Sequence, residues 1–162
     1  MRYAITGILV LVFLLFGCPS WLAGQDAPYI LRACLYPFFH ANVFHLAVNI
    51  LSVWVLFRRC KPSRLVAAYL IAFAVYPLSF IRPVVGFSNM LFAVSGMNTP
   101  SFRDKWWTGT GTLVYIATMV LMGLLPQFSA ITHIASFILG TLVAVLVRRC
   151  HKLHDDARRA GI

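Results

Sequence analysis

Long apolar stretches broken by prolines, with arginine and lysine held to their flanks, restrict this chain more than any other feature. A helix crossing a bilayer needs about 20 mostly apolar residues, because each adds about 1.5 Å toward a hydrocarbon layer about 30 Å thick. Five stretches meet or approach that length: Ala4–Leu22, Val43–Phe57 with an apolar lead-in from Leu35, Leu65–Ile81, Gly109–Leu125 and Ala130–Val147. A sixth, Phe87–Met97, is apolar but too short to cross unless it starts inside the protein. Pro19, Pro28, Pro37, Pro62, Pro83, Pro100 and Pro126 fall between the segments, where a missing N–H and a fixed φ interrupt helices. The pattern predicts an all-α membrane protein of six transmembrane helices, the fourth short, joined by short loops.

Composition agrees. Of 162 residues, 60% are hydrophobic and 11% charged, against about 25% charged in soluble domains. A cytosolic globular domain and a disordered tail are both excluded. The four acidic residues are all aspartates, against 14 Lys+Arg, for a net charge of +10. Without a glutamate there is no His-Glu-x-x-His zinc protease, and no EF-hand or glycosidase that relies on Glu. With the N-terminus in the cytoplasm, 12 of the 14 basic residues fall on cytoplasmic segments, and only Arg32 and Arg82 lie opposite. Six crossings with both ends inside satisfy the positive-inside rule. Trp21, Trp106 and Trp107 lie near span ends, as interfacial aromatics do. The expected organisation is a membrane domain over 1–147 and a short basic cytoplasmic tail over 148–162. The lipid bilayer is the implied partner. Nucleic acid is not, because the basic residues are scattered over span flanks. A signal peptide competes for the first segment, although Phe16 is bulky for a processing site. Cys18 and Cys34 fall near the outer face and could pair; Cys60 and Cys150 lie in similar basic flanks and could carry lipid. Oligomeric state stays open.

Three groups of polar residues sit where polarity is costly, which makes each a candidate for function. In His40-Ala-Asn-Val-Phe-His45-Leu-Ala-Val-Asn49, His45 and Asn49 are four apart and share a helix face. They could donate hydrogen bonds to one target, or simply join helices. His40 lies earlier, in the turn leading into that helix. In Gly86-Phe87-Ser88-Asn89, Ser88 falls at a helix start, where unpaired amides favour negative charge. It suits a nucleophile or an ordinary cap. In Thr132-His133-Ile-Ala-Ser136-Phe-Ile-Leu-Gly140, His133 is the one ionisable side chain of the last span. It lies along a stripe of Ser136, Gly140 and Ala144 that permits close helix contact.

Together the groups supply the parts of acyl transfer: a serine nucleophile, a histidine base and donors for an oxyanion. No carboxylate is available in the spans to orient the histidine, so the arrangement must be a Ser88–His133 dyad with the imidazole held by packing. Hydrolysis needs water, which predicts an open cavity near the outer face. Nothing calls for a metal or a cofactor.

These residues resemble the rhomboid family of intramembrane serine proteases, and the resemblance runs from Arg32 through Ala144. His40, His45 and Asn49 match the family's His-x4-His-x3-Asn spacing in the second span. Gly86-Phe87-Ser88 matches Gly-x-Ser at the start of a short fourth span, followed by Phe92, Ala93 and Gly96 at family positions. His133, Ser136 and Gly140 match the sixth span. Arg32 matches half of a Trp-Arg pair, with Leu31 in place of the tryptophan. The resemblance implies a six-helix rhomboid bundle of bacterial, inner-membrane type. It implies Ser88 as nucleophile and His133 as base, with His45, Asn49 and the Ser88 amide as the oxyanion hole. Phe92 would stack on His133, Gly86 would shape the turn, and His40 would support the first loop or the cavity. Implied substrates are single-span transmembrane proteins. Asn89 and Ser136 stand where the family usually has glycine, which bears on rate and helix spacing. The rival reading is an inactive rhomboid-like protein that binds membrane clients; Ser88 and His133 both being present favours activity. A carrier is disfavoured, with no intramembrane Asp or Glu and no internal repeat.

Overall fold

The computed structural model describes residues 1–19, 27–80, 84–98 and 129–160. Among the described residues the chain is helical, with no strand. In chain order the α-helices are α1 (Arg2–Phe16), α2 (Tyr29–Leu35), α3 (Val43–Leu56), α4 (Pro62–Val75), α5 (Ser88–Asn98) and α6 (Ala130–Arg159). The predicted span Gly109–Leu125 lies outside the described residues, as do Trp21, Trp106 and Trp107.

Local chemistry explains where the helices depart from the expected segments. α1 stops at Phe16 rather than Leu22 because Gly17 turns at φ 60° and its amide bonds the Phe13 carbonyl at 2.9 Å. The apolar lead-in from Leu35 does not continue into α3. α2 and the 3-10 turn Tyr36–Phe38 meet α3 at a 71° bend, made over residues 39–42, where Phe39 and Asn42 are extended. α4 begins at Pro62, the helix position at which a missing N–H costs nothing. It gives way to the 3-10 segment Tyr76–Phe80 at Tyr76-Pro77, where Tyr76 keeps an α-region backbone but Pro77 has no N–H to continue the ladder. α6 passes Val147 and runs through the basic segment to Arg159. No glycine or proline interrupts residues 148–159, and Arg158 and Arg159 close the last turn, where the helix dipole favours cations.

Two described helices are long and apolar enough to cross a membrane, Pro62–Ser79 and Ala130–Arg159; the bent pair of Tyr29–Phe38 with Val43–Leu56 makes a third only if its two parts form one broken span. α1 is a shorter apolar helix. The bundle is inverted relative to a soluble protein. Leu14, Phe44, Leu51, Leu70 and Leu146 are exposed, whereas His40, Asn49, Ser88, Asn89, Thr132, His133 and Ser136 are buried. Lipid accepts apolar side chains and rejects polar ones, so this distribution suits a bilayer.

α5 is the centre. With 11 residues it is about 16 Å long, too short to span, and every residue from Ser88 to Met97 is buried. Its closest partner is α6. A methyl group on Gly140 would overlap the Ala93 carbonyl, and one on Gly96 would overlap the Phe137 carbonyl. Thr141 Oγ1 donates toward the Gly96 carbonyl at 3.2 Å and the Phe137 carbonyl at 3.0 Å. α4 is the next partner of α5 and buries Ala68 and Ala72 completely. At the periphery α1 packs on α3: Trp54 Nε1 donates to Thr6 Oγ1 at 3.1 Å, and the Arg2 guanidinium lies 4.7 Å from the Trp54 ring centre. Cys18 and Cys34 are both free thiols.

Gly140→Ala is expected to destabilise the bundle by about 1–3 kcal/mol, the usual range for overpacking, seen as a lower Tm in detergent. Gly7→Ala, whose added carbon meets nothing within 4 Å, should not lower it.

Candidate active site

The site grows from the first turn of α5. The Phe87 carbonyl accepts from the Met90 and Leu91 amides at 3.1 and 3.2 Å, so Ser88 is the first helical residue and its amide belongs to the unpaired end of the helix. Gly86 makes the turn possible. Its φ of 112° lies in the region open to glycine. A Cβ there would meet His45 Cε1 at 2.6 Å and His45 Nε2 at 2.8 Å, with Asn49 Nδ2 at 3.5 Å. The bare face of Gly86 therefore lies directly on the His45–Asn49 pair.

That pair is organised by α3. Asn42 caps the helix, its Oδ1 accepting from the His45 amide at 2.8 Å. Asn49 Nδ2 donates to the His45 carbonyl at 3.0 Å. One of the two amide protons is thereby used to hold the carboxamide, and the other is available. His40 lies in the non-helical link before α3, fully buried, with its ring edge-on to His45 at 5.2 Å.

α6 supplies the histidine. His133 sits in the first turn, its amide bonded to the Ser129 carbonyl at 3.3 Å. Ser88 Oγ and His133 Nε2 are 2.8 Å apart. The Phe92 ring lies flat on the imidazole, with centroids 4.4 Å apart and planes 5° from parallel. Phe92 is four residues after Ser88, so one face of α5 presents both the hydroxyl and the plate that orients the ring. No carboxylate does that work among the described residues, where the acids are Asp155 and Asp156, exposed near the end of α6. Both members of the pair are buried, Ser88 at 3% and His133 at 4% exposed.

Ser88, His133 and Phe92 thus form one contact set, joined through the Gly86 turn to His45, Asn49 and His40. Ser136 and Gly140 extend the α6 face, Ser136 fully buried and Gly140 against the Ala93 backbone. Arg32 lies in the last turn of α2, within electrostatic reach of the Tyr76 hydroxyl. Asn89 does not hold the helices apart, because its side chain points to Tyr36, donating to that hydroxyl at 3.0 Å. Two residues that motif spacing does not single out belong to this region. Asn42 carried a readable signal, an asparagine ahead of an apolar run. Tyr36 carried none, since it lies in a 3-10 turn outside any helical period. Among the described residues no three metal-ligating side chains converge.

The family model for the Rhomboid domain matches residues 27–150, most of the chain, and this protein belongs to the rhomboid family of intramembrane proteases and their relatives. It is an integral membrane protein. No curated protein matches the chain.

Gly86→Ala adds a carbon into His45 at a backbone angle disfavoured for alanine. It is expected to cost about 1–3 kcal/mol of stability, measured as a fall in Tm.

Proposed function

We propose that the protein is an active intramembrane serine endopeptidase, cutting single-span transmembrane proteins through a Ser88–His133 dyad. The observation that carries this reading is the 2.8 Å approach of Ser88 Oγ to His133 Nε2 beneath a parallel Phe92 ring. A hydroxyl donating to Nε2 requires the imidazole proton on Nδ1, the tautomer of a general base. Ser88 Oγ attacks the scissile carbonyl carbon while His133 Nε2 takes its proton. The carbonyl becomes an oxyanion, held by the Ser88 amide, the free Asn49 amide proton and His45 Nε2–H. His133 then protonates the leaving amine as the C–N bond breaks. Water, deprotonated by the same nitrogen, attacks the acyl-enzyme, and the carboxylic acid leaves as Ser88 regains its proton.

The charge pattern supports a topology of six crossings with both termini cytoplasmic, the 148–162 segment forming an internal tail; the membrane proposed from the family resemblance is a bacterial inner membrane. In this orientation α5 starts in the outer half of the bilayer. Substrates reach the dyad there as locally unwound strands, because a helix hides its carbonyls in its own hydrogen bonds. A reporter fused after Gln127 should be outside, and one after Ile162 inside.

Purified protein should be modified at Ser88 by a serine-directed fluorophosphonate. Labelling should vanish in Ser88→Ala and fall strongly in His133→Ala; a band that persists in Ser88→Ala ends the assignment. His45→Ala and Asn49→Ala should each lower kcat by about 10²-fold with KM little changed, since an oxyanion donor acts mainly in the transition state. Normal turnover with a reduced Tm would mark the two as helix joints instead.

A further inference from the structure

Tyr36 grips the nucleophile turn at both of its ends. Its backbone carbonyl accepts from the Gly86 amide at 2.9 Å. Its hydroxyl accepts from Asn89 Nδ2 at 3.0 Å and donates to the Ala72 carbonyl on α4 at 2.9 Å. The two residues it holds, Gly86 and Asn89, bracket Ser88. The direction of each bond is forced. A carbonyl only accepts, so the single phenol proton goes to Ala72, and the oxygen lone pair faces the amide NH2 of Asn89. The opposite setting of the Asn89 carboxamide would place oxygen against oxygen. The ring is itself immobilised, fully buried and stacked on Tyr76 with centroids 5.0 Å apart.

We propose that Tyr36 and Asn89 are positioning residues for the Ser88 nucleophile, tying the turn before it and the residue after it to α4. This rests on the proposed Ser88–His133 chemistry. Asn89 is a poor choice for stability alone: it is 1% exposed, and its Oδ1 has no hydrogen-bond partner in the described structure, which is costly in a buried site. Its donor end nevertheless completes a chain from the residue beside the nucleophile to the α4 backbone. Neither residue touches the reacting atoms. Their effect is to remove the small rotations of the α5 N-terminus that would carry Oγ off the imidazole, and reaction rates respond steeply to such displacements.

The test compares full-length wild type, Tyr36→Phe, Asn89→Ala and the double variant in detergent micelles. Each is assayed well below its own Tm and normalised to folded protein. Tyr36→Phe keeps the ring and its stacking and removes only the hydroxyl. The fluorophosphonate inactivation rate constant should fall about tenfold in each single variant, the equivalent of one lost buried hydrogen bond. The double variant should be no slower than the worse single one, because both changes cut the same chain. With a single-span substrate, kcat should fall and KM hold. Wild-type rate constants in Tyr36→Phe with a lowered Tm would overturn the proposal and leave a merely structural tyrosine. Additive losses in the double variant would also overturn it. Failure of the wild type to label at all would remove the catalytic reading beneath it, a result separable from both.

Discussion

The backbone contact between α5 and α6 governs the rest of the molecule. Gly140 lies against the Ala93 carbonyl and Gly96 against the Phe137 carbonyl, at separations that leave no room for a side chain. At this distance a serine at the start of one helix reaches a histidine at the start of the other without an intervening residue. Side chains of ordinary size at either glycine would move the helices apart and open the 2.8 Å Ser88–His133 contact. Because apolar contacts between helices gain little over contacts with lipid tails, membrane bundles depend on close packing and interhelical hydrogen bonds. Thr141, shared between the Gly96 and Phe137 carbonyls, adds one such bond at the crossing.

Around that contact the protein concentrates its polar side chains and joins several of them by hydrogen bonds. Asn42 satisfies the His45 amide, Asn49 uses the His45 carbonyl, and Tyr36 joins Asn89 to Ala72. In the first two a side chain serves a backbone group within one helical turn, whereas Tyr36 links residues 36 and 53 positions away. The histidine ring lies against an aromatic plate, and among the described residues no carboxylate lies beside it. In a low-dielectric interior a carboxylate would carry a large desolvation cost, and a parallel ring fixes the imidazole plane without adding charge.

Asn89 and Ser136, at positions where the resemblance leads one to expect glycine, are accommodated in distinct ways. Asn89 turns from the α6 crossing toward Tyr36, where its amide is useful. Ser136 stays in the buried α6 stripe, small enough to leave the close approach at Gly140 intact. Whether a larger residue disturbs the helix pair depends on which way its side chain leaves the helix, a property of the register rather than of size alone.

Amino-acid order alone determined the class of molecule. Apolar length, proline placement and the siting of arginine and lysine specify membrane helices because the bilayer imposes a fixed thickness and a fixed penalty for charge. Spacing also exposed the candidate site: Ser88, His133, His45 and Asn49 stand out because polar groups are rare in such segments, and intervals of three or four put them on common faces. Helix ends were less legible. Gly17 ends α1 at a positive φ, the extended Phe39 and Asn42 bend the chain, and Pro77 lacks an amide, none of which an apolar count registers. Tyr36 was invisible, since its importance comes from bonds to residues 36 to 53 positions away. Only the folded arrangement decided that Ser88 and His133 touch, that Phe92 lies parallel to the imidazole, and that Asn89 faces Tyr36. Those facts depend on crossing distance and rotation between helices remote in the chain, which local periodicity does not encode.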